Sequence, residues 1–251
     1  MIGIKGPDEI KKMRAAGKIV GQLLLELRGR VKPGVTTREL DSFARTFIEK
    51  QKAVPTFLGY GSPKYPASIC ASVNEQVVHG IPNDKRLDEG DIVGIDVGAT
   101  FDGFVGDAAR TFAVGKISAQ AQALLKATQE ALDKGLAAAK DGNHLEDIGY
   151  AVQSHVESLG MSVVRDFVGH GIGRKMHEPP QIANYGRPGR GVKIKSGMAF
   201  AIEPMVNAGG WQVKVLEDGW TVVTRDGSLS AHFEDTVIVT EGAPLNMTRL
   251  D

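Results

Sequence analysis

The sequence repeats one order of structural patterns, and this repetition constrains the fold more than any other feature. In the first half, two amphipathic helix patterns beginning near Pro7 and Thr36 precede a His-Gly-Ile turn at 79–81 and a β-rich segment. The second half has the same order, beginning near Ser118, with its His-Gly-Ile turn at 170–172. The two halves are therefore expected to fold alike and to pack against each other.

Each half also carries two acidic residues at matching places in its β-rich segment. Asp96 follows a glycine by six residues, and so does Glu203. Asp107 precedes a glycine by eight residues, and so does Glu234. These matches favour a duplicated unit over a chance similarity of strand composition. We expect each half to place one acid on a strand and the other on a later strand.

The repetition also predicts the domain organisation. We interpret residues 1–251 as a single α+β domain with half-repeats at approximately 1–116 and 117–251, packed about a pseudo-twofold axis. A chain of this length can bury a sizeable core. The repeat should bring all four acids toward the axis.

Composition excludes several classes of function. Thirty basic residues balance thirty acidic residues, so overall charge gives no reason to expect binding to nucleic acid or to a membrane. No apolar run is long enough for a signal peptide or a membrane span. The one cysteine, Cys70, excludes an internal disulfide and a cysteine-rich zinc site. We expect a cytoplasmic protein.

A predicted hairpin brings two of the acids together. The Asp102-Gly103 pair between two apolar runs is typical of a two-residue turn, which would pair Gly98 with Asp107. Asp96 then lies on the same face as Asp107 and diagonally across from it. Two buried carboxylates this close repel each other unless a positive charge lies between them. A metal ion would supply that charge.

The alternative is a buried salt bridge between Arg110 and either Asp96 or Asp107. For one acid alone, that alternative is the better interpretation. The second half brings Glu203 and Glu234 to the same axis, however, and one arginine cannot neutralise four carboxylates. Carboxylates that can bridge suggest two ions about 3.5–4 Å apart, as in two-metal hydrolases.

Histidines complete the predicted ligand set. His170 and His177 lie in a glycine-rich loop that lets side chains approach a centre closely, and His79 occupies the equivalent turn of the first half. His232 precedes Glu234 by two residues and should face the same side of its strand. Carboxylates with one imidazole suit Mn, Fe or Co at least as well as Zn.

Five stretches together resemble the bacterial-type, type I methionine aminopeptidases of the M24 metallopeptidases, over nearly the whole chain. They are SICASVNEQVVHGIP (68–82), GDIVGIDVGATFDGFVGDAARTFAVG (90–115), VGHGIGRKMHEPP (168–180), GMAFAIEPMV (197–206) and GWTVVTRDGSLSAHFEDTVIVT (219–240). The resemblance implies the pita-bread fold, with a curved antiparallel β-sheet and outer helices. It also implies hydrolytic removal of the initiator methionine from nascent polypeptides, preferably before a small second residue.

The resemblance assigns the metal ligands. Asp96 would bind one divalent ion, His170 and Glu203 would bind a second, and Asp107 and Glu234 would bridge the two. The ions could be Co, Mn, Fe or Zn. A hydroxide held between them would attack the carbonyl of the N-terminal methionine.

The resemblance also assigns catalytic and pocket residues. His79 and His177 would contact the substrate and stabilise the tetrahedral intermediate, and Glu203 would act as general acid and base. The methionine pocket would be lined by Cys70, Tyr60, Tyr65, Met176 and Trp220.

Some positions depart from the family pattern, and some partners are implied only by it. Met176 stands where phenylalanine is frequent, and His232 stands where glutamine is common. Asn74 and Ser230 match a place where the family holds a monovalent cation, Na or K. The nascent peptide N-terminus is the expected substrate, the chain is expected to be a monomer, and contact with the ribosome is left open.

Two other functions stay open. A prolidase or Xaa-Pro aminopeptidase shares the five-ligand pattern, but those enzymes usually carry an additional N-terminal domain, whereas this chain begins with the helices of the catalytic unit. A non-catalytic binding protein of the same fold would typically lack some ligands, and all five are present here. We therefore expect a methionyl aminopeptidase.

Overall fold

The computed structural model describes residues 2–250. Two helices precede the β-rich segment in each predicted half. They are α1 (Pro7–Arg28), α2 (Thr37–Lys50), α3 (Ala119–Ala138) and α4 (Leu145–Ser158). All four lie where the sequence patterns predict them.

Side-chain caps fix where two of the helices begin. The Thr36 hydroxyl accepts a hydrogen bond from the Glu39 amide, and the Glu39 carboxylate accepts one from the Thr36 amide, which makes a capping box before α2. The Ser118 hydroxyl accepts from the Ala121 amide before α3. The sequence patterns also begin near Thr36 and Ser118.

The strands of the first half are β1 (Val54–Pro55), β2 (Ile69–Val73), β3 (Gln76–Val78), β4 (Ile92–Phe101) and β5 (Phe104–Ala113). Those of the second half are β6 (Ser162–Val163), β7 (Gly169–Gly171), β8 (Glu178–Ile182), β9 (Ala199–Ile202), β10 (Met205–Asn207), β11 (Val213–Val215), β12 (Val222–Thr224), β13 (Ser230–His232), β14 (Asp235–Ile238) and β15 (Leu245–Asn246).

Strand β4 is the centre of the first sheet. It pairs with β5 along its whole length, from Ile92 opposite Ala113 to Phe101 opposite Phe104. Strands β2 and β1 pair, also antiparallel, along the other edge of β4. The hairpin has the register that the Asp-Gly turn predicts.

The second half builds a five-stranded antiparallel sheet in the order β15-β14-β9-β7-β8. Two three-stranded sheets, β13-β10-β6 and β11-β12-β3, complete the described β-structure. Because β3 precedes residue 116 and pairs with β12, this last sheet ties the two predicted halves together.

A seam of hydrogen bonds joins β5 to the chain around β14. The backbones of Ala109 and Glu234 exchange two hydrogen bonds, of 3.3 and 2.9 Å. On one side of that pair, the Thr236 hydroxyl donates to the Asp107 carbonyl and accepts from the Asp107 amide. The seam therefore places Asp107 and Glu234, one acid from each half, side by side.

Each pair of helices packs on its own sheet. Leu23 of α1, Leu40 of α2 and Ile95 of β4 are buried in one apolar cluster, whereas Leu124 of α3 and Phe200 of β9 are buried in another. The twofold relation of the halves and the boundary near residue 116 stay predictions. None of the described helices is both long and apolar enough to cross a membrane.

Candidate active site

One cavity of about 120 Å³ collects every side chain that the sequence predicts to act. Twelve predicted site residues and one further residue line it: Phe57, Tyr60, Tyr65, Cys70, His79, Asp96, Asp107, His170, Met176, His177, Glu203, Trp220 and Glu234. These residues come from strands and loops of both halves, so the cavity lies where the halves meet.

The β4–β5 hairpin delivers the first two acids. Asp96 lies opposite Ala109, and Gly98 lies opposite Asp107, so the two carboxylates are diagonal neighbours as predicted. Gly98 has a local reason to be glycine, because a Cβ atom there would lie 2.6 Å from the ring of Phe57.

The acids of the second half lie at strand ends, which corrects the expectation that both lie on strands. Glu203 lies between β9 and β10, and Glu234 lies between β13 and β14. The Glu203 carbonyl accepts a hydrogen bond of 3.0 Å from the Asn184 amide group, and the seam with Ala109 holds the Glu234 backbone. Long-range contacts therefore hold both acids in place.

His170 lies on strand β7, which corrects its prediction as a turn residue. It pairs with Gln181 of β8 and Ala201 of β9, whereas His79 lies just after β3, outside the strands, with a φ of +60°. The His170 Nδ1 atom lies 2.9 Å from the Gly171 carbonyl oxygen. Its other ring nitrogen is therefore left to face the acids.

Distances among the ligating atoms define a compact centre. The Nε2 atom of His170 lies 3.6 Å from Glu203 Oε1 and 3.8 Å from Asp107 Oδ2. One ligating atom each from Asp107, His170 and Glu234 lie within 4.8 Å of one another. Such spacing lets several side chains contact the same ion.

The acids lack the partners that buried carboxylates require. The Oδ1 atoms of Asp96 and Asp107 and the Oε1 atom of Glu234 are buried and make no hydrogen bond within residues 2–250. Burial raises the pKa of Asp96 to about 7, aided by the Glu203 charge, and burial raises the pKa of Glu203 to about 8. Burial and neighbouring acids raise the pKa values of Asp107 and Glu234 well above their ordinary range.

Arg110 does not neutralise these acids, so the salt-bridge alternative is wrong. Its guanidinium donates 2.7 Å to Asp235 and also donates to the carbonyl oxygens of Ala109 and Glu234. Buried oxygens without partners, gathered beside one imidazole, fit a bound divalent cation.

Aromatic side chains form the other end of the cavity. Trp220 packs edge-on against Tyr65 and His79, with ring centroids 5.1 and 5.9 Å apart. The buried Tyr65 hydroxyl donates to the carbonyl oxygens of Ile69 and Gly80, which fixes its ring. Burial also raises the pKa of the Cys70 thiol, so this end of the cavity is uncharged.

Two aromatic residues of this region were missed from the sequence. Phe57 lines the cavity, and Phe167 packs edge-on against His79 with centroids 5.6 Å apart. Both lie in irregular loop segments without periodicity. The small Gly98 opposite the Phe57 ring was the only available signal, and it can be interpreted only once the fold is known.

The histidines of the cavity are held neutral. Burial lowers the pKa of His79 to about 4, aided by His232 and His177, and burial with His177 lowers the pKa of His170 to about 4. Burial also lowers the pKa of His177, whose Nδ1 atom lies 2.6 Å from the Tyr60 hydroxyl. Neutral imidazoles can ligate a cation or donate one hydrogen bond.

His232 lies beside the acidic centre. Its Nε2 atom is buried and lies 3.4 Å from Glu203 Oε2, without a hydrogen bond in the described part of the chain. Its backbone amide donates to the Thr111 hydroxyl. The sequence predicts that His232 faces the same side of its strand as Glu234. In the structure, its ring lies next to the Glu203 carboxylate.

The fold and this centre define a class of protein. The model of metallopeptidase family M24 matches residues 11–241, and the chain belongs to that family. The pita-bread fold predicted from the sequence is confirmed. Use of a divalent metal follows from the family.

Within the family, the chain groups with the methionine aminopeptidases. It is 55% identical to the methionine aminopeptidase of Clostridium acetobutylicum over 99% of both chains. It matches the crystal structure of methionine aminopeptidase from Rickettsia prowazekii with a TM-score of 0.97 and 46% identity, covering 99% of this chain and 100% of that one. The prolidase from Pyrococcus horikoshii shares the fold alone, with a TM-score of 0.79 and 21% identity over 99% of this chain and 64% of that one.

Proposed function

We propose that the chain is a methionyl aminopeptidase, which hydrolyses the first peptide bond of a polypeptide and releases its N-terminal methionine. The observation that carries this proposal is the single cavity that joins five potential metal ligands to two histidines and an aromatic pocket. The identity of 55% to a methionine aminopeptidase supports it over the Xaa-Pro alternative, whose structural relatives are far less similar.

Two divalent ions are proposed to bind at the acidic end of the cavity. Asp96, Asp107, His170, Glu203 and Glu234 would hold them, since these side chains supply the partnerless oxygens and the free imidazole nitrogen. This donor set accepts Co, Mn or Fe as well as Zn. When bound, the ions supply a water nucleophile at neutral pH and polarise the scissile carbonyl.

Glu203 is proposed to hold and move the proton of the reaction. Its carboxyl group is buried, and its oxygens lie 3.6 Å from His170 Nε2 and 3.4 Å from His232 Nε2. In the metal-free protein burial raises its pKa to about 8. Bound cations would favour the ionised carboxylate, which could then take up a proton from the nucleophile and pass it to the departing amine.

His79 and His177 are proposed to stabilise charge on the substrate carbonyl oxygen. Both rings are neutral, so each can donate one N–H into the cavity. A hydrogen bond donated by the Tyr60 hydroxyl to Nδ1 of His177, 2.6 Å away, would leave the proton of that ring on Nε2, and this is the tautomer that we propose. Fixed neutral donors stabilise a developing oxyanion without reorganisation of water.

The pocket is proposed to select a thioether side chain. Tyr60, Tyr65, Cys70, Met176 and Trp220 give it apolar walls, and Met176 offers an adaptable surface. A small second residue is the proposed preference of the substrate.

Further parts of the proposal concern ions and surroundings. A monovalent cation, Na or K, is proposed near Asn74 and Ser230, because the Ser230 amide donates to the Asn74 carbonyl and brings the two together. A lone, buried thiol suits a reducing compartment, and we propose the cytoplasm. The chain is proposed to act as a monomer on nascent polypeptides, in association with the ribosome.

Peptide hydrolysis tests the proposed activity. The protein is incubated with Mn or Co and with Met-Ala-Ser or an Xaa-Pro peptide, with and without a chelator. Release of free methionine that stops when chelator is added supports the proposal. Cleavage confined to Xaa-Pro bonds favours the prolidase alternative, and no cleavage with either metal favours a binding protein.

The substitution His79→Ala separates catalysis from metal binding. We expect turnover to fall by about 10²–10³, the cost of one oxyanion donor. Metal content should survive, because His79 is not among the proposed ligands. Loss of metal together with turnover would show that His79 has a different role.

A further inference from the structure

One partly buried ion pair outside the cavity joins the start of the chain to the loop that carries His177. The Lys5 ammonium donates to Glu178 Oε2 at 2.7 Å, and the Lys5 side chain is only 9% exposed. The two residues are 173 positions apart in sequence. Nothing in the proposed chemistry uses this pair.

The Glu178 carboxylate organises the whole loop. Its Oε1 atom accepts hydrogen bonds from the backbone amides of Arg174 and Lys175, at 2.8 and 3.1 Å. Its Oε2 atom is left for Lys5. Segment 173–178 is thereby closed into a ring, and the ring contains Met176 and His177, which both line the cavity.

Lys5 is itself held from both ends. Its backbone amide donates to the Gly197 carbonyl oxygen at 2.7 Å, just before strand β9. Its ammonium lies over Gly173, where a Cβ atom would be 2.3 Å from the Lys5 nitrogen. Gly173 thus leaves the space through which Lys5 reaches the carboxylate.

A second pair joins the same two segments at the surface. Arg174 lies 3.3 Å from Glu9, but its side chain is 66% exposed. Exposed pairs contribute little to positioning. Lys5 is therefore the contact with which the N-terminal segment can fix the loop.

We propose that Lys5 is a positioning residue, which holds the Glu178 carboxylate and thereby sets the place of the His177 ring in the cavity. This inference rests on the proposed function, because it assigns to Lys5 an effect on turnover that passes through His177. It makes the segment before α1 part of the catalytic unit.

The main test is Lys5→Met in the metal-loaded protein, with Lys12→Met as the matched control. Lys12 forms an exposed pair with Asp102, so its loss should leave turnover unchanged. We expect Lys5→Met to lower kcat about fivefold or more, with metal content unchanged and with Lys5→Arg restoring most of the rate. A Lys5→Met enzyme that turns over like Lys12→Met would overturn the proposal.

A double-mutant cycle with His177→Ala separates positioning from general loosening. If Lys5 acts through His177, Lys5→Met should change kcat less than twofold once the His177 ring is absent. An undiminished fivefold loss in the His177→Ala background would contradict the proposal. Should Lys5→Met fail to fold, Glu178→Gln weakens the same contact and enters the same cycle.

A readout without catalysis keeps this inference distinct from the proposed function. Ring resonances of His177 in the folded protein, assigned by their absence in His177→Ala, should shift in Lys5→Met but not in Lys12→Met. Wild-type protein that releases no methionine would refute the function and leave this spectral test intact. Unchanged resonances in an active Lys5→Met enzyme would refute the inference alone.

Discussion

Glu234 and Asp235 are adjacent residues with opposite electrostatic surroundings. The Glu234 side chain faces Asp107 in the cavity, and both have a buried oxygen that makes no hydrogen bond in the described part of the chain. The Asp235 side chain is also buried, yet both its oxygens have partners, in Arg110, Thr248 and Arg249. The Asp235 carboxylate receives its hydrogen bonds and ion pairs from groups of the chain. The Glu234 carboxylate is left to bind a group from outside the protein.

This difference shows how buried charge can be assigned a role. A buried acid with a full set of donors belongs to the structure, because its desolvation is offset within the protein. A group of buried acids without donors is costly for an empty protein and favourable only with a cation. The seam at Ala109 places the two kinds of site on opposite sides of one strand segment.

The largest effect is expected from a substitution in the cavity, among the carboxylates that lack hydrogen-bond partners. Asp107→Asn removes one charge from a proposed bridging position, so metal binding and activity should be lost together, activity by about 10³ or more. Metal analysis and the methionine-release assay measure the two losses. A variant with full metal content and full rate would show that Asp107 does not bridge.

A substitution among the partners of Asp235 should lower the free energy of unfolding. Arg110→Met leaves the buried Asp235 with Arg249 and Thr248, so one of its two ion pairs is lost while its charge stays partly compensated, and the cost should be about 1.5–3 kcal/mol. Urea unfolding of the metal-free protein measures this change. Lys126→Met, which breaks an exposed helical pair with Glu130, is the control and should cost less than about 0.5 kcal/mol.

Equal stability of the Arg110→Met and Lys126→Met variants would contradict the comparison, since it would mean that Asp235 does not need Arg110 in addition to Arg249. A loss of metal in Arg110→Met without loss of stability would also contradict it, because Arg110 would then belong to the metal centre.

The unpaired acids should also make stability depend on pH. Asp96 and Glu203 have folded pKa values of about 7 and about 8, above the ordinary values of 3.8 and 4.5. The folded state therefore binds more protons than the unfolded state, and stability falls as pH rises through the folded values. His79 and His170, with lowered pKa values of about 4, act in the opposite direction, but only below about pH 6.5.

A scan from pH 6.5 to 8.5 therefore isolates the carboxyl groups. Metal-free protein should lose on the order of 2–3 kcal/mol over this range from Asp96 and Glu203, and Asp107 and Glu234 act in the same direction, so the thermal midpoint should fall by about 5 °C or more. Added Mn should reduce or reverse the fall, since the metal binds the ionised form. A midpoint of metal-free protein that rises with pH would show that these acids are already ionised in the folded state.

The sequence predicts the acids of the cavity better than it predicts the partners of Asp235, for a physical reason. Local turn chemistry at Asp102 fixes the register of the hairpin, and the predicted repeat points to the four acids as one group. The partners of Asp235 come from Arg110 and from Thr248 and Arg249, and no local pattern relates these segments. Lys5 and Phe57 were missed for the same reason, because only the folded chain shows what they contact.

His170 shows a further limit of sequence reasoning. Glycines on both sides of it favoured a turn, but the neighbouring strands β8 and β9 hold it in the sheet. Tertiary pairing overrides local preference for such short segments.

The smallest effect is expected from removing one neutral hydrogen-bond donor to Asp235. Thr248 is buried, and its hydroxyl donates to Asp235 Oδ1 at 2.8 Å. Thr248→Val keeps the shape and removes the donor, which should cost about 1.5 kcal/mol because the acceptor is charged and retains its arginines. Thr46→Val, at an exposed helical site whose hydroxyl donates to the Ser42 carbonyl, is the matched control and should be nearly neutral.

Both variants should bind metal like the wild type, and urea unfolding with metal analysis measures the two properties. If Thr248→Val were as harmless as Thr46→Val, the Asp235 carboxylate would have donors to spare, and its contrast with Glu234 would rest on the arginines alone. If Thr248→Val lost metal, the contacts around Asp235 would be holding the metal centre in place. Asp235 and Glu234 would then form one functional unit.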